Sequence, residues 1–272
     1  VRDRQRAPGE QPSSSERLGA EYDVIAESDC VIASTPYEFD DLLTHYGASP
    51  ERLCVSPPGV DHAVFRPGDR WLARERLALG EEPIVLYAGR IQPHKGTSIA
   101  VAAFASMCTG LSPEFGAPRM LVIGGASGDD GAAELERSRR IAEDAGLSDR
   151  VSFLNPMPHE FLADHYRSAD IVIVPSRSES FGLVAAEAQA CGTPVVASDV
   201  GGLSYVVDPS ESGLLVEGHD PEAYSVAMRA ILQHPRFAER LSKGAVAFSQ
   251  RFSWEATANR LTELYTGITS IA

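Results

Sequence analysis

From residue 84 onward, short apolar runs alternate with longer segments in which apolar positions recur every three or four residues. The runs 84–88, 120–123, 151–154, 171–174, 194–198 and 214–216 read as strands. Their near-continuous apolar character is what a strand buried on both faces requires. Between them, 97–107, 132–145, 158–168 and 182–191 carry helical periodicity. Parallel neighbours need a crossover, so short strands separated by helices imply a parallel sheet covered on both faces. The pattern predicts one doubly wound α/β domain of Rossmann type over about residues 70–235. Ligands of such sheets sit at the carboxyl ends of the strands. The candidate loops are therefore 89–96, 124–130, 155–159, 175–182 and 199–203.

The first part of the chain is less regular. Residues 1–15 are polar, with two prolines and no periodicity, and the chain opens on Val rather than Met, which reads as a truncated, a proteolysed or a misassigned start. Residues 16–30 are helix-like in part. Strands are predicted at 31–34 and 53–56, with Thr35 as N-cap and Pro36 at the first position of a helix running to Tyr46. The stretch 59–69, with Pro67-Gly68 near its end, reads as a linker. Two helices close the chain, 236–250 and 253–267, the second with Ser253 as N-cap and an apolar side of Trp254, Leu261, Leu264 and Tyr265.

Composition narrows the function classes. The 272 residues carry a formal charge of −14, which argues against general binding to nucleic acid or an anionic membrane surface. No apolar run approaches the length of an integral membrane segment. Cys30, Cys54, Cys108 and Cys191 are scattered without metal-ligand spacing, so no metal is expected. They are expected to be reduced and mostly buried, which points to the cytoplasm. Neither a G-x-G-x-x-G after the first strand of the domain nor a Walker sequence is present. Gly124 and Gly125 read as a tight turn.

Candidate chemistry collects at the predicted strand ends. Arg90 and Lys95, in Gly89-Arg90-Ile91-Gln92-Pro93-His94-Lys95-Gly96, could converge on a diphosphate, or could be two solvated cations. The apolar run 171–174 ends at Pro175, and a polar turn then delivers Phe181 and Gly182 to a helix start. Free N–H groups there suit an anion. Glu179 and Glu187 bracket that helix end. Acids beside an anion site suit hydroxyl groups, although Glu187 could equally be a surface acid favoured by the helix dipole. The loop Asn155-Pro156-Met157-Pro158-His159 could meet a base edge or could be a plain turn. Gly201-Gly202 allows close backbone approach or positive φ.

Four motifs, in order, resemble those of retaining family 4 glycosyltransferases of the GT-B fold: Gly59-Val60-Asp61 with Phe65-Arg66-Pro67, the loop from Gly89 to Gly96, Glu179-Ser180-Phe181-Gly182-Leu183 with Glu187, and the run from Ala190 to Ala197. The resemblance implies one complete Rossmann-like donor domain, residues 67–250, preceded by the C-terminal part of an acceptor-side domain, 1–66. Residues 251–272 would cross back toward that domain. It implies transfer of a sugar from a nucleotide-diphosphate donor, expected to be UDP-linked, to a small-molecule or glycan acceptor, with no cofactor and no metal. Arg90, Lys95 and Glu179 match catalytic positions. Gly89, Met157, His159, Ser180, Phe181, Gly182, Leu183, Val184 and Glu187 match donor-binding positions. Association with a second copy or with a separate N-terminal half stays open. A non-catalytic nucleotide-sugar-binding or scaffold module is the alternative, and a pyridoxal-phosphate-dependent phosphorylase is disfavoured by length.

Overall fold

The computed structural model describes residues 15–269. Residues 1–14 and 270–272, which belong to the expected first and last segments, lie outside the described residues. The described chain opens with α1 (Ser15–Glu27), β1 (Val31–Ala33), α2 (Pro36–Tyr46) and β2 (Leu53–Val55), β1 and β2 pairing in parallel with Ile32 opposite Cys54. After the short α3 (Arg70–Arg76) comes the regular alternation β3 (Ile84–Ala88), α4 (Thr97–Gly110), β4 (Arg119–Ile123), α5 (Gly131–Asp144), β5 (Val151–Leu154), α6 (His159–Ser168), β6 (Ile171–Val174), α7 (Leu183–Ala190) and β7 (Val195–Ser198). The larger domain ends with α8 (Leu203–Val206), β8 (Gly213–Val216), α9 (Pro221–Gln233) and α10 (Pro235–Ser249), and α11 (Trp254–Thr269) follows.

The six strands of the large sheet lie in the order β5-β4-β3-β6-β7-β8, all parallel. Counted along the chain this is the dinucleotide-binding order, which reverses between β3 and β6. Their register pairs Val85 with Ile171 and Leu86 with Val172. Successive strand residues point to opposite faces. Ile84, Leu86 and Val172 accordingly enter the core shared with α6 and α7, whereas Val85, Tyr87 and Ile171 enter the core shared with α4 and α9. The chain leaving β3 thus packs on one face and the chain leaving β6 on the other, which opens a crevice at the carboxyl edge between them.

Several expectations are corrected. The stretch 59–69 is not a loose linker: Val60 and Phe65 are buried in the core of the larger domain, and Val60 N–H donates to the Phe252 carbonyl at 3.2 Å. Only Cys191 is buried, the other three cysteines being partly exposed. Helices α3, α8 and α9 have no counterpart in the expected elements. In α9 the signal is present in the residues, because Asp220 caps Glu222 N–H and Tyr224, Met228 and Ile231 are buried at helical spacing. In α3 it is masked: the buried position that should be apolar is Arg74, which donates from Nη2 to Asp170 Oδ2 at 2.8 Å and from Nε to the Ser168 carbonyl at 2.9 Å.

Two glycines bring the loops of the crevice together. Gly124 makes a close approach rather than a plain tight turn, since a Cβ there would lie 1.8 Å from the Gly89 carbonyl oxygen. Gly96 has φ 72°, and a Cβ would lie 2.2 Å from the Pro175 carbonyl oxygen, so the loop after β3 presses against the loop after β6. Nearby, Arg177 N–H donates to the His94 carbonyl at 2.7 Å. Gly96→Ala combines a left-handed backbone with a backbone clash and is expected to lower stability by about 2 kcal/mol or more. A urea midpoint shifted downward at unchanged slope measures it, and a wild-type midpoint would refute the close approach.

Candidate active site

The start of α7 lies at the end of the β6 loop. Gly182 is its N-cap, buried and in the left-handed region with φ 106°, where a side chain would be strained. Ala186 N–H is the first to find a helical partner, the Gly182 carbonyl at 3.1 Å. The N–H groups of residues 181–185 have no acceptor among the described residues. The helix across the switch point behaves differently. In α4, Ser98 N–H donates at 2.8 Å to Glu134 Oε1, a carboxylate that α5 brings to the helix end and that is 2% exposed. One helix end at this edge already carries an anion, and the other presents free donors.

The turn before α7 is held from three sides. Gly202 N–H donates to the Glu179 carbonyl at 2.8 Å, and a Cβ on Gly202 would lie 2.3 Å from the Ser180 carbonyl oxygen. Gly201 has φ 47°, so both readings of this glycine pair apply, positive φ at one and close approach at the other. Thr35 Oγ1 donates to the Ser180 carbonyl at 3.2 Å. Phe181 is buried with its ring edge-on to Phe252, the centroids 5.3 Å apart.

A cleft of about 770 Å³ opens between these loops and helices α1 and α2, with Arg90, Lys95, Glu179 and Ser180 in its lining. Lys95 Nζ and Glu179 Oε2 form an ion pair at 2.7 Å, both side chains about four-fifths buried, and Ser176 Oγ donates to the same oxygen at 3.3 Å. Arg90 is exposed, follows Gly89 at the end of β3, and has no hydrogen bond or ion pair from its guanidinium among the described residues. The two cations are therefore unequal. The charge of Lys95 is matched by Glu179, and that of Arg90 is not.

Glu187, Met157 and His159 are not in that cleft. Glu187 sits one turn into α7, at i+4 from Leu183 and i+3 from Val184, and so shares their helix face. It is 7% exposed, and Tyr166 donates its hydroxyl to Oε2 at 2.9 Å. Oε1 has no partner among the described residues. Burial pushes the Glu187 carboxyl above the usual carboxylate range, against the opposing pull of the Tyr166 hydroxyl and His159. Burial, with the Glu187 carboxylate beside it, raises the Tyr166 hydroxyl well above its ordinary value. His159 is exposed, its ring 5.7 Å from that of Phe65, and Met157 packs against the core beneath.

The expected site residues thus fall into two groups, Arg90, Lys95, Glu179 and Ser180 on one side and Met157, His159 and Glu187 on the other. Phe181, Gly182, Leu183 and Val184 form the chain between them. Tyr166 and the link from Thr35 to Ser180 were not expected. Thr35 reads locally as a helix cap and Tyr166 as an apolar position of α6, and no local signal announces a partner far away in the chain. Among the described residues, no three or more His, Cys, Asp or Glu side chains are placed to hold a metal ion, and no helix is long and apolar enough to cross a membrane.

Comparison with known proteins follows the same outline. The chain is 46% identical over 263 residues to the D-inositol 3-phosphate glycosyltransferase of Acidothermus cellulolyticus, covering 95% of this chain and 58% of that protein. It is 44% identical over 260 residues to the enzyme of that name from Rhodococcus jostii, covering 95% and 57%. Among solved structures, sucrose-phosphate synthase from Thermosynechococcus elongatus superposes with a TM-score of 0.85 at 37% identity, covering 95% of this chain and 63% of that one. The chain spans under two thirds of the length of these relatives. These likenesses bear out the resemblance to GT-B glycosyltransferases of family 4. A family model described as "Glycosyl transferases group 1" matches residues 69–248, the span that holds the parallel sheet and the free end of α7, and the chain belongs to that family.

Proposed function

We propose that the chain binds the donor of a retaining glycosyl transfer, a nucleotide-diphosphate sugar, and carries mainly the donor half of the active site. The run of N–H groups at 181–185 without acceptors, beside the uncompensated Arg90, carries this reading. A diphosphate accepts hydrogen bonds from several directions at once. The α7 end supplies donors in fixed orientation, Arg90 a planar fork and Lys95 a point charge. Glu179 and the Ser180 backbone would meet the sugar. The unpartnered Oε1 of Glu187 suits ribose hydroxyls, and the loop at Met157 and His159 suits the base. UDP is the nucleotide that the sequence resemblance points to.

In the transfer, the bond from the anomeric carbon to the diphosphate oxygen breaks while the sugar gains oxocarbenium character. Negative charge grows on the departing oxygen, where donors already in place stabilise it without reorganisation. The acceptor hydroxyl adds on the face from which the diphosphate leaves, and its proton passes to the departing phosphate oxygen. Configuration is retained with no protein nucleophile. Glu179, bound to Lys95, holds the sugar rather than attacking it. The name of the 46%-identical relative makes D-inositol 3-phosphate the first acceptor to try, with the full-length protein.

Titration calorimetry with UDP and UDP-glucose tests the donor reading. Saturable binding is expected, weakened by Arg90→Ala by about 10- to 100-fold, the scale of a lost charge-assisted contact. Folded protein that binds neither ligand would overturn it.

Glu187 gives a second test. A carboxyl whose folded pKa is raised holds its proton more tightly in the folded state than in the unfolded chain. Stability then falls as pH rises from the ordinary value of 4.5 through the raised one. Glu187→Gln removes that fall while leaving Tyr166 an acceptor. Urea midpoints of the variant are expected to gain on the wild type across this window and to run parallel to it at lower pH. Parallel curves throughout would contradict burial as the dominant influence.

A further inference from the structure

Thr35 lies 145 residues before the turn that it touches and is 0% exposed. Its oxygen accepts from Glu38 N–H at 3.2 Å, and Glu38 returns the cap by accepting from Ser34 N–H at 2.7 Å. A hydroxyl has one proton to give. Glu38 N–H is itself a donor, so the proton of Thr35 goes to the Ser180 carbonyl. The bond direction is therefore fixed by its partners. Every described peptide bond is trans, so the carbonyl of residue 180 and the N–H of residue 181 point opposite ways. Holding the Ser180 carbonyl on the α2 side turns the Phe181 N–H away from Thr35. Gly202 packs against the same peptide, with room for no Cβ between it and either the Ser180 carbonyl oxygen or Phe181 Cα.

We propose that Thr35 is a positioning residue for the anion-binding turn: its hydroxyl fixes the Ser180–Phe181 peptide, aims the first free N–H of the 181–185 run, and ties that run to α2. The inference rests on the donor reading above for its meaning in the reaction. Its geometry stands without that reading. Because α2 also lines the cleft through Glu38, Asp41 and Leu42, one hydrogen bond joins the cleft's α2 wall to the donors of α7. A shift of α2 relative to the large domain would be felt first at the Ser180 carbonyl.

The test compares Thr35→Val, which keeps the shape and removes the hydroxyl, with Thr35→Ser, which keeps the hydroxyl. Asp69→Ala removes the cap of α3, a helix tied through Arg74 to Asp170 at the amino end of β6, the edge opposite the site, and serves as the control for cap loss alone. Hydrogen exchange is read on the ligand-free protein at the two bonded amides that brace this turn, Gly202 N–H on the Glu179 carbonyl and Ala186 N–H on the Gly182 carbonyl, and UDP affinity by calorimetry. Thr35→Val is expected to speed exchange at these two amides about tenfold and to weaken UDP about tenfold, with Thr35→Ser within about twofold of wild type in both. Asp69→Ala should lower the melting temperature without changing either. Where valine is not accommodated, Thr35→Ala takes its place. Unchanged exchange at Gly202 and Ala186 in the variant lacking the hydroxyl, or a serine variant as defective as the valine one, would overturn the proposal. Wild-type protein that fails to bind UDP would bring down the donor reading alone, because the exchange measurement still decides on Thr35.

Discussion

The backbone donors left over at the start of α7 are the constraint on which the rest of the site depends. Polar groups in a buried turn are costly when unpaired, and a fold normally finds them partners. Here the surroundings withhold those partners. Gly182 takes a left-handed conformation that lets the helix begin without a side-chain cap. Glu179 and Ser180 have their carbonyls turned to Gly202 and Thr35, and so neither doubles back on the helix end. The contrast with α4, where Glu134 occupies the equivalent place, shows that the architecture can supply an internal anion when one is wanted. The doubly wound order puts both helix starts at one crevice. Only one of them is free to hold a ligand.

Charge selects the same place. A chain of −14 is a poor anion binder on average, and the cleft wall from α1 and α2 is acidic. Those acids are already engaged. Glu21 accepts from Arg17 and Tyr46, which hold its carboxyl below the usual range, and Glu38 accepts from Ser34 N–H. Lys95 and Glu179 neutralise each other in a partly buried pair, where removing one partner would strand the other. Arg90 is left as a cation without a counter-charge among the described residues of the crevice. Local pairing, rather than net charge, decides what the site attracts.

The large sheet was legible because its strands are uninterrupted apolar runs, a pattern that burial on both faces imposes. The strands of the sheet emerged within a residue or so of their expected ends. Two stretches were hidden: α3 behind its buried Arg74, and 59–69, which reads as a linker because Gly59 and Pro67-Gly68 punctuate it, although Val60 and Phe65 anchor it in the core. Helix α9 carries a legible signal in Asp220-Pro221 and its periodic apolar positions. Of the proposed site residues, Glu179 through Val184 stand together in one contiguous motif that the sequence displays. The sequence does not display their pairing. That Lys95 binds Glu179, that Tyr166 binds Glu187, and that Thr35 reaches Ser180 are facts of tertiary register, fixed by strand order and helix packing rather than by neighbours in the chain.

The crossover to α11 brings the same turn under a second control. Phe252 meets Phe181, Tyr205 and Phe248 ring to ring, and its carbonyl accepts from Val60 N–H and from His62 Nε2 at 2.9 Å. Two residues later the chain passes so close to Gly59 that a Cβ there would lie 2.2 Å from Trp254 N, and Thr257 Oγ1 donates to the Pro57 carbonyl at 2.8 Å. The aromatic wedge that seats the start of α7 is therefore also the joint where the first segment and the last helix meet the large domain. Arg251, stacked 4.7 Å over Phe248, stiffens that joint with a charge that must stay at the surface. Thr35 grips the turn through a backbone carbonyl and Phe252 through a buried ring, from opposite ends of the sequence. A displacement of either segment must therefore move the donors at 181–185 or break one of these contacts. The geometry of the proposed anion site is in this sense a property of the joint between the two parts of the chain, not of the large sheet alone.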